Sequence, residues 1–136
     1  MLVEIHRTAS EPASVDITQT EAAALARATV KLFDRWELSD TEARQLLGGM
    51  AARTWSRWKN GDIGRVDRDL AMRLSLLMGI HKGLRFLFSD PARGYAWVRK
   101  PNDAFNGQSA LEVMMGGTMF HLMRVRGYLD AERGGW

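Results

Sequence analysis

Apolar positions at Ala22, Leu25, Ala26, Thr29, Leu32, Phe33 and Trp36 recur at steps of three and four residues. They form one stripe of the helical period of about 3.6 residues, so the chain predicts an amphipathic helix starting at Thr18 or Thr20. Residues 1–16 before it carry no sustained period and read as a flexible N-terminal arm around Pro12. After Trp36, Ser39 with Glu42 three residues on is a capping box opening a second helix, with Ala43, Leu46 and Leu47 as its apolar stripe and Gly48-Gly49 as its stop. A third, short helix is expected from about Ala51 to Lys59, closed by Gly61. Its first turn has no Ser, Thr, Asp or Asn in the capping position, because Gly49-Met50-Ala51-Ala52 stands there.

Beyond the loop Asn60–Val66, a helix from about Asp67 is apolar around most of its circumference (Leu70, Met72, Leu74, Leu76, Leu77, Met78), which predicts the buried centre of the core. Gly79 is expected to break or kink it, with a continuation through His81 to Phe88. Ser89-Asp90-Pro91 marks a stop and a new start, followed by a helix to Lys100 and by turn chemistry through Phe105-Asn106-Gly107. A second capping box, Ser109 with Glu112, opens a helix through Met115, and Thr118 opens the last one, to about Ala131. No segment alternates as a half-buried strand would. The fold class read from these patterns is all-α, with about eight short helices. The division expected is an arm at 1–16, an N-terminal helix–turn–helix domain at 17–88, and a small C-terminal helical domain with a tail at 89–136.

Composition narrows the chemistry. The 136 residues are 46% hydrophobic and 26% charged, the profile of an ordinary globular domain. The absence of cysteine removes disulfides, thiolate metal sites and cysteine nucleophiles, and fits a reducing cytoplasm. The N-terminus has neither the basic nor the apolar region of a signal peptide, and no apolar run approaches the length of a membrane span, so no membrane association is expected. His6, His81 and His121 lack ligand spacing, and neither Gly-Gly-Met nor Gly-Gly-Thr matches a phosphate-binding loop. No carboxylate pair or Ser/His/Asp grouping is placed for catalysis. We therefore expect no metal, no cofactor and no enzymatic activity.

The formal charge of +3 permits an anionic partner. Residues 38–68 carry six basic and four acidic side chains, a small excess that calls for a dimer or larger assembly if DNA is to be held at physiological salt. Two short helices around a Gly-containing turn are the layout that lays a recognition helix into the major groove. The run Leu38, Ser39, Glu42, Leu46, Leu47, Gly48, Thr54, Ser56, Arg57, Trp58 and Gly61 resembles the DNA-binding unit of Xre-type regulators. On that reading Arg53, Thr54, Ser56, Arg57 and Lys59 are the candidate DNA contacts; the same basic side chains also suit a solvated helix face. Trp55 and Trp58, three apart, cannot both face a groove, and Trp58 is expected in the core.

The second half carries a resemblance of its own. Gly79, Ile80, Lys82, Leu84, Arg85, Leu87, Phe88, Asp90 and Pro91, then Trp97-Val98-Arg99-Lys100-Pro101-Asn102, Ala104, Phe105, Gly107, Ser109, Leu111 and Glu112 resemble the toxin-binding domain of Xre/MbcA/ParS-type antitoxins. The resemblance implies an antitoxin of a type II toxin–antitoxin system. Its partner would be a RES-domain toxin that ADP-ribosylates or degrades NAD, blocked at its NAD site. Operator DNA would be the second partner, through autoregulation, and the assembly a homodimer, heterotetramer or larger complex. In the last helix Leu122, Val125 and Leu129, widened by Met119 and Met123, form an apolar stripe, with His121, Arg124 and Tyr128 on the opposite face. The candidate toxin contacts are His121, Arg124, Arg126, Tyr128, Arg133, Gly134 and Trp136, the glycines letting the terminal Trp ring enter a cleft. Two rival readings are a stand-alone Xre-type regulator whose C-terminal half only dimerises, and an NAD-using enzyme, which the lack of a catalytic grouping disfavours.

Overall fold

In the computed structural model the described residues are 17–134. The arm expected at 1–16, and Trp136 with the Gly135 before it, lie outside them. Seven α-helices and one short 3-10 turn make up the described residues, with one isolated antiparallel bridge between Pro101 and Ser109.

Local chemistry sets most of the boundaries. Helix α1, Gln19–Arg35, starts at Thr18, whose hydroxyl accepts from the Glu21 N–H while the Glu21 carboxylate accepts from the Thr18 N–H. Helix α2, Asp40–Leu46, opens with the same reciprocal box between Ser39 and Glu42. Helix α3, Ala52–Lys59, has no side-chain cap at Ala51, as its sequence predicts. Its entry is fixed from outside instead: the Arg44 Nε donates to the Met50 carbonyl at 2.7 Å, and the Met50 side chain is buried.

Helix α4, Arg68–Leu87, is capped by Asp67, whose carboxylate accepts from the Leu70 N–H. The break expected at Gly79 does not occur, and α4 runs unbroken through it for 20 residues, which is why the described chain has seven α-helices rather than eight. A lone Gly inside a helix costs about 1 kcal/mol relative to Ala. Burial on two sides outweighs that, since Leu74, Leu77, Ile80 and Leu84 are sealed from water.

Helix α5, Pro91–Trp97, begins with Pro at its first position, where a missing N–H costs nothing. The following loop explains the Pro-Asn-x-Ala-Phe-x-Gly-x-Ser pattern physically. The Asn102 side chain accepts from the Ala104 N–H, Phe105 is buried, and Asn106 and Gly107 turn the chain back with φ of 57° and 87°. Helix α6, Ala110–Met114, then starts at the Ser109/Glu112 box. Helix α7, Met119–Glu132, follows.

Helix α4 is the shared beam, packing on α1 on one side and on α7 on the other. Its small residues set the second contact. A Cβ at Gly79 would collide with the Arg126 guanidinium, a Cβ at Gly83 would stand 3.2 Å from the Leu129 Cβ, and the Arg133 guanidinium lies 5.6 Å from the Phe86 ring centroid. Each step of three or four along α4 matches a step of three or four along α7, so the two helices run side by side in the same direction. Further ties join the two halves. Arg99 donates to the Glu37 carbonyl and pairs with Glu42, and the Gln45 amide donates to the Met115 carbonyl.

Candidate functional site

Helix α3 presents a sorted face. Trp55 and Trp58 are both buried, Trp58 as expected and Trp55 with it, because positions three apart share one face of a helix. Arg53, Ser56, Arg57 and Lys59 are exposed on the other side, and Thr54 is half-buried above a hollow shared with Asp67, Asp69 and Arg73. The helix is locked to the start of α2 by one carboxylate: Asp40 accepts from the Trp55 Nε1 at 2.9 Å and from the Lys59 Nζ at 2.9 Å. The Lys59 and Trp55 hydrogen bonds hold the Asp40 carboxyl below its ordinary value. Burial pushes Glu42 upward, but the Ser39 N–H and the Arg99 guanidinium outweigh it and hold that carboxyl low as well. Of the five candidate contacts, Arg53, Ser56 and Arg57 project freely, whereas Lys59 is partly neutralised by Asp40.

Helix α7 buries Leu122, Val125 and Leu129, as its stripe predicts. Its outward face differs from the expected one. Met123 does not widen the buried stripe: it is 49% exposed, and Phe120 beside it is 78% exposed. With Gly127 and Ala131, both exposed, they make an apolar ridge along α7, flanked by the exposed Arg124. His121 folds back onto the helix start, its Nδ1 2.7 Å from the Thr118 hydroxyl and its ring against Gly116. Tyr128 is half-buried, stacked on Trp97 at 6.0 Å and edge-on to Phe105 at 5.2 Å, while the Arg124 guanidinium lies 5.4 Å over the Phe105 ring. Arg126 fills the slot above Gly79 and reaches Asp130 at 3.7 Å. Arg133 reaches the same carboxylate at 3.6 Å, and Gly134 is exposed, at φ 101°.

The helix–turn–helix and the α7 ridge therefore sit on one body, with the exposed basic face of α3 at one place and an exposed apolar ridge at another. Residues 16–79 match the family model of the antitoxin Xre-like helix–turn–helix domain, and residues 83–135 match that of the antitoxin Xre/MbcA/ParS C-terminal toxin-binding domain. The chain belongs to the Xre/MbcA/ParS-type antitoxins. A curated relative, the uncharacterized protein y4oB of Sinorhizobium fredii (strain NBRC 101917 / NGR234), is 43% identical over 105 residues, which span 77% of this antitoxin and 81% of the relative.

Two features of the antitoxin's surface are missing from the sequence reading. Phe120 follows Met119 in an apolar run and goes unassigned there, although a wheel centred on Leu122, Val125 and Leu129 places it opposite the core. The tethering of Lys59 by Asp40 spans 19 residues and leaves no local signature. Among the described residues no group of three or more His, Asp or Glu is placed to hold a metal, and no helix is long and apolar enough to cross a membrane.

Proposed function

We propose that this antitoxin neutralises a RES-domain toxin, a type II partner that ADP-ribosylates or degrades NAD, by laying the α7 ridge and the tail beyond it across the toxin's NAD-site mouth. The observation that carries the reading is the exposed line Phe120–Met123–Gly127–Ala131 within the segment matched as toxin-binding. Phe120 and Met123 are large apolar side chains left in water, with Gly127 and Ala131 continuing a flat surface beyond them; a partner covers such a strip, and Arg124 at its flank supplies a directional contact. The aromatic nest of Trp97, Phe105 and Tyr128 holds that face rigid, so little ordering cost is left for binding. His121, Arg126 and Tyr128 act in this reading by shaping α7, while Arg124, Arg133, Gly134 and Trp136 are the groups that meet the toxin.

The α2–α3 unit supplies operator binding and autoregulation in the cytoplasm, through Arg53, Ser56 and Arg57 with Thr54 and Lys59 at their margins. A single copy offers few phosphate contacts, so operator binding belongs to a homodimer or to a heterotetramer or larger complex with toxin. The test is co-expression with a RES-domain protein encoded beside it, followed by size-exclusion light scattering. A stable complex that Phe120→Ser with Met123→Ser disrupts is the expected result. A complex of unchanged stability in that double variant would sink the assignment of the ridge, and no complex at all would leave a stand-alone regulator.

A further inference from the structure

On the flank where α1, α4 and α5 meet lies a cleft of about 250 Å³ that neither the reading helix nor the α7 ridge uses. Lys31 and Arg35 reach it from α1, His81 and Arg85 from α4, and Tyr95 from α5; its remaining walls are apolar. No carboxylate among the described residues lines it. Asp34 and Asp40 line an adjoining hollow that shares Lys31 and Arg35 with it, and Asp40 is committed to Lys59 and Trp55.

The arrangement is electrostatically unfinished. Three cationic side chains converge with no ion pair among the described residues, and the one hydrogen bond Arg35 makes, to the Tyr95 hydroxyl, is long at 3.5 Å. His81 stacks parallel to Tyr95 at 6.4 Å, and its Nδ1 is sealed from water without a partner. Burial first, then Arg85 and Arg35, depress the imidazole's pKa, so the like charges of α1 and α4 are felt at its ring. Converging unpaired cations cost stability unless an anion joins them, and guanidinium forks on two different helices match the geometry of phosphate oxygens.

We propose that this cleft is an anion site that takes a phosphate group, held between the Arg35 and Arg85 guanidiniums with Lys31 and the Tyr95 hydroxyl as further donors. The phosphate comes from a free phosphate-bearing small molecule or from a nucleic-acid backbone. The site is independent of the toxin-binding reading.

The experiment is an NMR titration of the full chain with inorganic pyrophosphate at constant ionic strength, beside the double variant Arg35→Gln, Arg85→Gln. Both arginines are exposed, and thermal melting of the variant confirms that it folds. Expected are saturable shifts confined to residues around Lys31, Arg35, His81, Arg85 and Tyr95, and an affinity at least about tenfold lower in the variant, as for the loss of charge-assisted hydrogen bonds. The anion should also raise the His81 pKa in the parent chain. If pyrophosphate leaves these resonances still, a short duplex of mixed sequence moves them, and the variant lowers the salt dependence of duplex binding, then the phosphate is that of nucleic acid. Shifts centred elsewhere, an affinity undiminished in the variant, or silence toward both probes would overturn the proposal.

Discussion

Asp40 illustrates how one side chain sets both the posture and the charge of α3. Its carboxylate anchors the buried Trp55 and neutralises Lys59 at the exposed end of α3. Asp40→Asn keeps an acceptor for Trp55 but frees Lys59. Duplex affinity should then rise, and the slope of log K against log salt should steepen by about one, whereas Arg53→Ala and Arg57→Ala should each flatten it by about one. Acid should act on the same residues. Asp40 and Glu42 titrate below their ordinary values of 3.8 and 4.5 in the folded chain. The unfolded chain therefore takes up protons first as pH falls, and the stability the two carboxylates contribute is lost on descending through those values. His81 adds an earlier stage: its folded pKa lies below 6.5, so protonation favours the unfolded chain as pH drops under that value. Thermal midpoints should fall first below about pH 6.5, again below about pH 4.5, and the upper stage should vanish in His81→Gln.

Among the elements, α4 carries the least obvious design. Gly79 and Gly83 lie on its α7-facing side but differ in what they meet, a swinging guanidinium at one and the Cβ of a buried Leu at the other. Gly79→Ala should change stability by no more than about 1 kcal/mol, since the gain in helix propensity offsets the displacement of Arg126. Gly83→Val should cost about 1–3 kcal/mol through overpacking against Leu129. Urea titrations of the two variants separate these outcomes. The contrast also explains what the sequence discloses. The boxes at Ser39/Glu42 and Ser109/Glu112, the Pro91 start and the buried face of α7 are legible because their determinants lie within one or two helical turns. Gly79 reads as a breaker because its partner, Arg126, is 47 positions away in the chain. Met123 reads as core because methionine suits either side of a boundary. The cleft between α1, α4 and α5 draws its cations from segments far apart, and no local pattern marks it.

At the scale of the molecule, α4 joins the helix–turn–helix half to the half matched as toxin-binding through one continuous core. Arg99 on Glu37 and Glu42, and Gln45 on Met115, tie the halves again at the surface. Heat should therefore unfold the described body in one transition, and a fragment ending at residue 88, stripped of α7, should lose cooperative folding because Ile80 and Leu84 would face water. In the function proposed, the α7 face and tail close the NAD site of a RES-domain toxin. The most direct test is NAD turnover by the toxin encoded beside this chain, titrated with the intact antitoxin and with a form lacking Gly134–Trp136. Turnover abolished at a fixed stoichiometry by the intact chain and restored with the shortened one is the result predicted. Turnover undiminished by the intact chain would contradict the account, and equal inhibition by both forms would remove the tail from it.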